Sequence, residues 1–113
     1  MTMGNWDGLE TAGRLKAGEV SPVEVIDAAI ERCEQVNPEI NAFVWTCFEK
    51  AREEAARCDV NAGALSGVPY AIKDLGGSAA GEPTSLGNRF LKQKPIVSPI
   101  DDNVIARLRS SGL

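Results

Sequence analysis

"GVPYAIKDLGG", residues 67–77, is the stretch on which the reading of the chain turns. Val68, Tyr70, Ala71, Ile72 and Leu75 make a run apolar enough for a buried strand over 68–74, yet Lys73 and Asp74 stand side by side near its end, with Gly76 and Gly77 behind them. Neighbours on a strand point to opposite faces, so Val68, Tyr70, Ile72 and Asp74 share one side and Ala71, Lys73 and Leu75 the other. Asp74 is then not placed to pair with Lys73. If both faces are covered, Lys73 enters a low-dielectric environment, where desolvation disfavours the ammonium and turns the amine into a base. The other reading is a lysine at a strand end, snorkelling to water past Ala71 and Leu75. This stretch alone leaves both open. The backbone of Gly76, Gly77 and Gly81 allows close approach of a ligand or positive φ, and serves a flexible linker equally well. No phosphate-loop spacing accompanies it.

Working outward, the pattern upstream is helical. Leu9, Ala12 and Leu15 recur at helical spacing, with Asn5 or Asp7 as cap and Gly18 as stop. Ser21-Pro22-Val23-Glu24 combines a capping box with proline at the first helical position, and Val23, Ile26, Ile30 and Cys33 form the stripe behind it. Asn37-Pro38 ends that helix in this reading. "INAFVWTC", residues 40–47, is rich in β-branched and aromatic types and reads as a strand. Phe48, Ala51, Ala55 and Cys58 mark a third helix, closed by Asn61 and Gly63. Downstream of the lysine, Gly76 to Pro99 reads as a long irregular loop, a length that in a compact domain points to function. Asp101 or Asp102 then caps a last helix on Val104, Ile105 and Leu108, with Gly112 and Leu113 as a Schellman stop. The expected architecture is α/β of an α+β-like kind, helices packed on a small sheet in the order ααβαβ-loop-α, forming a single domain over 1–113.

Composition bounds the chemistry. At 113 residues, 43% hydrophobic and 25% charged, the chain is ordinary for a globular domain. Twelve Lys and Arg are scattered among sixteen Asp and Glu for a net charge of −4, which argues against nucleic acid as partner. Arg89, Lys92 and Lys94 are the nearest approach to a basic cluster and read as a solvated face. No apolar run approaches the roughly 20 residues of a membrane helix, and "MTMGNWDGLE" lacks the features of a secretory signal, so the expected setting is cytoplasmic, with no membrane partner. Cys33, Cys47 and Cys58 form no CxxC pair and the chain has no histidine. Zinc sites and Cys-His nucleophiles are therefore unsupported, and no metal or cofactor is expected.

Three blocks in order resemble the N-terminal portion of the amidase signature family. They are "SPVEVIDAAIERCEQVNPEINAFV" (21–44), "LSGVPYAIKDL" (65–75) and "DDNVIARLRSSGL" (101–113). Within the family, "VNPEINA", "FEKAREEA" and "GVPYAIKDL" are most similar to the branch of 6-aminohexanoate cyclic-dimer hydrolases. The resemblance implies amide hydrolysis by a nucleophilic serine, a second serine with a cis peptide bond, and a lysine as base. Lys73 matches the catalytic lysine, which answers the opening question in favour of the base. Asp74 is then a structural partner for the loop backbone, with Gly76 and Gly77 beside the site.

Ser66, Ser78, Ser85, Ser98, Ser110 and Ser111 lie outside the family's serine pattern, so none carries over as nucleophile. Thr84 and Ser85 fall where the family has a Thr/Ser-rich strip and read as loop structure. The expectation is an incomplete piece of the amidase signature fold, inactive alone because triad members act as a unit, and taking a small amide substrate only when completed. Exposed strand and helix faces lead to a further expectation of a homo-oligomer, a dimer of the chain. The alternative from another class is a self-associating scaffold module with a vestigial site.

Overall fold

Asp7, not Asn5, begins the first helix: its Oδ1 accepts the Glu10 N–H at 2.8 Å, and α1 runs over Gly8–Lys16. The computed structural model describes residues 3–113, with a short 3-10 turn at Met3–Asn5 before that helix. Contacts divide the chain into two compact units, Met1–Tyr70 with Ser111–Leu113, and Ala71–Ser110.

In the first unit, Ala12 and Leu15 are buried on α1, as is Thr11, whose hydroxyl donates to the Asp7 carbonyl at 2.8 Å. Leu9, expected on that stripe, is 77% exposed. Arg14 lies 4.4 Å over the Trp6 ring and pairs with Glu10 and Glu19, closing the polar side of the helix. The capping box of the second helix forms as the sequence requires. Ser21 Oγ accepts the Glu24 N–H at 3.2 Å, and Glu24 Oε2 accepts the Ser21 N–H at 2.8 Å. The helix α2, Pro22–Ile40, buries Val25, Ile30 and Cys33 and leaves Val23 exposed, so the apolar face is rotated from the expected stripe. It also continues through Asn37-Pro38. Proline removes one N–H and crowds the preceding turn, but here those costs fall in the last turn, which left-handed Asn41 (φ 49°) closes by donating to the Asn37 carbonyl at 2.8 Å. α3, Phe48–Ala56, packs on α2, with Arg52 bound to Asp27 at 2.7 Å. Cys33 is buried and Cys58 half-buried, and burial pushes both thiols up, away from thiolate chemistry.

The two strands read from sequence do not form among the described residues. Residues 41–47 have no ladder, and the backbone of Phe43 is instead held by one side chain: Asn37 Oδ1 accepts its N–H at 2.9 Å and Asn37 Nδ2 donates to its carbonyl at 3.2 Å. Residues 68–73 likewise pair with no other strand, and Tyr70, Ile72 and Leu75 are exposed at 55%, 43% and 57%. β propensity reports fit to a pleated, half-covered surface, so a β-rich run becomes a strand only where another strand meets it. The chain end does approach this region inside the first unit, where the N–H groups of Leu65 and Gly67 donate to the Ser111 and Gly112 carbonyls at 2.9 and 3.3 Å. Gly112 sits at φ +97°, and a Cβ there would collide with the Ser66 backbone.

The second unit holds the sheet that does form. Inside the expected loop 76–99, β1 (Pro83–Thr84) pairs antiparallel with β2 (Ile96–Val97), Pro83 opposite Val97 and Thr84 opposite Ile96. Between them lies α4, Arg89–Gln93, capped by Asn88 Oδ1, which accepts the Phe90 and Leu91 N–H groups at 2.8 and 3.3 Å. α5, Asn103–Ser110, buries Ile105 and exposes Val104 at 48%. The aspartates expected to cap α5 turn their carboxylates to another segment. Asp102 Oδ2 accepts the Ser78 N–H at 2.8 Å, Asp101 Oδ1 accepts the Ala80 N–H at 2.7 Å, and Arg109 Nε meets Asp101 Oδ2 at 3.0 Å. The class is therefore α+β with α1, α2, α3 and α5 where helices were expected, while α4 and the sheet both lie in the segment read as loop.

Ser21→Ala removes one half of the capping box and is expected to cost about 1 kcal/mol in urea denaturation. Gly112→Ala is expected to cost more than that, since it adds a backbone collision to an unfavourable φ.

Candidate active site

Lys73 precedes the best-anchored residue of the second unit. Its own side chain is exposed and lies outside any helix or strand, so the covered environment expected for it is not formed by the described residues. Shielding of a side chain needs neighbours on both faces of its segment, and a single run of sequence does not supply them.

Asp74 is half-buried and its carboxylate is saturated with donors. Oδ1 accepts the Ser85 N–H at 2.8 Å and the Thr84 hydroxyl at 3.2 Å. Oδ2 accepts the Ser85 hydroxyl at 2.7 Å and the Gly87 N–H at 2.9 Å. The Thr84 proton is shared with the Asp74 main-chain carbonyl at 2.9 Å. The sequence prepares this arrangement locally. The Ser85 carbonyl accepts the Asn88 N–H at 2.8 Å across a turn whose two central residues, Leu86 and Gly87, have φ of 52° and 67°. Positive φ at both centres belongs to a type I′ turn, natural for Gly87 and strained for Leu86 by roughly 1–2 kcal/mol. That conformation aims the Ser85 and Gly87 amides at one point, and the carboxylate fills it. Ser85 and Thr84 are 2% and 5% exposed, which makes these bonds among the most enclosed in the unit.

The backbone bond from Ser85 is the foremost cause holding the Asp74 carboxyl well below the usual carboxylate range, against the opposing effect of burial, with Gly87 and the Ser85 and Thr84 hydroxyls adding to it. Asp74 is therefore a fixed anion and no proton carrier near neutrality. Gly76 follows at φ +113° with open space around it, and Gly77 lies against Ile105, whose Cδ1 would be 3.2 Å from a Cβ at that position.

Three of the serines use their hydroxyls to hold the fold. The Ser98 hydroxyl donates to the Ile100 carbonyl at 2.6 Å, that of Ser110 to the Arg107 carbonyl at 2.7 Å, and that of Ser85 to Asp74. Among the described residues no group of His, Cys, Asp and Glu is arranged to hold a metal ion, and no helix is long and apolar enough to cross a membrane. Of Thr84 and Ser85, both read from sequence as loop structure, Thr84 lies in β1 and Ser85 directly after it; Asp74, read as a partner for the loop backbone, accepts from both.

The sequence model described as Amidase matches residues 24–113, and the chain belongs to that family. The chain is similar to the 6-aminohexanoate-cyclic-dimer hydrolase of Paenarthrobacter ureafaciens, 33% identical over 106 residues that cover 94% of this chain and 21% of that protein. A glutamyl-tRNA(Gln) amidotransferase component from Symbiobacterium thermophilum is 37% identical over 103 residues, 85% of this chain and 20% of that protein. Among solved structures, a 6-aminohexanoate cyclic dimer hydrolase superposes with a TM-score of 0.85 at 33% identity, covering 95% of this chain and 22% of the other. A bacterial aryl acylamidase of the amidase signature enzymes gives 0.82 at 30% identity, covering 94% of this chain and 23% of the other. The chain thus spans about a fifth of the length of these relatives.

The depressed Asp74 carboxyl fixes the sign of an acid response. Its contribution to stability is complete above the unfolded carboxylate range and is lost as pH falls through that range toward the folded value, because the unfolded chain takes up the proton first. Glu24, lowered chiefly by the Ser21 backbone bond, acts in the same direction. Melting temperature is therefore expected to fall as pH drops from about 5 toward about 2, with a shallower fall in Asp74→Asn.

Proposed function

We infer that this chain is part of an amide-hydrolysing enzyme in which Lys73 is the base that draws a proton, through a bridging serine hydroxyl, from a nucleophilic serine. The observation that carries this reading is the position of Lys73 within the family match over 24–113, directly before an anchored aspartate. The cleaved bond is a C–N amide bond, as the names of the similar hydrolases suggest, and small linear or cyclic amides are the proposed substrate class. Sequence corresponding to the rest of those relatives would contribute both serines and the cover that gives Lys73 a dry environment, so residues 1–113 by themselves are proposed to be inactive. Residues 1–113 act here as one N-terminal portion of a cytoplasmic amidase signature domain.

A second observation favours self-association: Tyr70, Ile72 and Leu75 expose apolar surface on a segment that joins no sheet. On its own the chain is proposed to form a homodimer through this surface. A monomer in light scattering at micromolar concentration would contradict that.

Mixing the chain with a separately produced carboxy-terminal portion of a 6-aminohexanoate cyclic-dimer hydrolase and following amide hydrolysis tests the lysine. Turnover that appears on mixing and is abolished by Lys73→Ala is the expected result. No turnover, or turnover indifferent to Lys73→Ala, would overturn the reading.

A further inference from the structure

We propose that Asp74 is the positioning residue for Lys73, a role that rests on the lysine being the base. A lysine side chain has four rotatable bonds, so where its amine can reach depends first on how firmly its backbone is held. Residue 74 is held twice. Its carboxylate takes four donors from Thr84, Ser85 and Gly87, and its main-chain carbonyl takes the Thr84 hydroxyl. Two residues after it Gly76 stands at positive φ in open space, the next bonds coming only at Ser78, and before it Ala71 and Ile72 are exposed. The staple is thus the firm attachment adjoining Lys73, and it joins the lysine to a turn thirteen residues on from Asp74.

The chemistry of the staple says which change breaks it. All four groups facing the carboxylate are donors in this arrangement. In Asp74→Asn one oxygen becomes an NH2 group; the Ser85 hydroxyl can rotate to accept from it, but the Gly87 N–H cannot, and donor is left facing donor. Ser85→Ala removes only the hydroxyl and leaves the Ser85 amide in place, giving a graded loss. Asp102→Asn is the control, because Asp102 binds Ser78 in the same unit and is not attached to residue 74.

Amide 15N relaxation of the intact chain reads the staple directly. The order parameter at Lys73 is expected near 0.85 in the unmodified chain and in Asp102→Asn, and below about 0.6 in Asp74→Asn, with Ser85→Ala between. In the active enzyme reconstituted by mixing, kcat for Asp74→Asn is expected to fall on the order of 100-fold with KM within about twofold, the pattern of a misplaced reacting group. Asp102→Asn is expected to lower the melting temperature while kcat stays unchanged, which separates positioning from general loss of stability. A Lys73 order parameter or a kcat that is the same in Asp74→Asn, while Lys73→Ala still abolishes turnover, would overturn the positioning role alone. Turnover that survives Lys73→Ala would overturn the lysine's role and this one with it.

Discussion

The unit formed by Ala71–Ser110 depends on one carboxylate that gathers four donors from a turn ten to thirteen residues away. Its apolar core is slight: Ala79 and Ile105 are the buried hydrophobic residues, and Thr84 and Ser85 are as enclosed as they are. In such a unit charge-assisted hydrogen bonds carry what packing elsewhere would. Each donor that meets a carboxylate is held about twice as strongly as by a neutral acceptor, and each would be costly to bury without a partner. Asp101 and Asp102 repeat the device on the 78–80 backbone, so three aspartates fasten the irregular segment where strands and helices are too short to do so.

The helices were legible because their signals are local. Asp7, the Ser21–Glu24 box and the left-handed Asn41 act within a few residues of themselves, and a capping bond forms whatever lies at a distance. The finer reading of faces was less secure, since Val25 rather than Val23 is buried on α2, and the choice between adjacent apolar residues is made by the neighbour that packs there. Strands are different in kind. Residues 40–47 and 68–74 carry the right side chains, yet a strand is completed by another strand, and Phe43 instead finds its backbone partners in one asparagine side chain. Within Gly76–Pro99 the reverse occurred: glycines and prolines hid a two-residue ladder whose strands are joined through α4.

At the site, Lys73 was found through its place in a family pattern, and its environment was not. An apolar run speaks of surface that seeks cover; it does not say which residues provide it, and the side chain is exposed here. Asp74 is the converse case. The strand alternation that set it apart from Lys73 has no strand to act on here, and its partners lie in a stretch whose hydroxyls and glycine look like ordinary loop composition until a carboxylate is placed among them. The match to the amidase family runs over 24–113, and the bonds that hold Asp74 lie in the loop that follows it.

Hydrogen exchange at the Ser85 and Gly87 amides tests the central carboxylate most directly. Gly87 is exposed, so protection of its amide has to come from Asp74, while Ser85 is buried and its amide is shielded by packing as well as by the carboxylate. Exchange well below the rate of unstructured peptide at both positions, restored toward that rate at Gly87 in Asp74→Asn, is the expected result. Exchange at the unstructured rate in the unmodified chain, or protection at Gly87 that persists without the carboxylate, would contradict it.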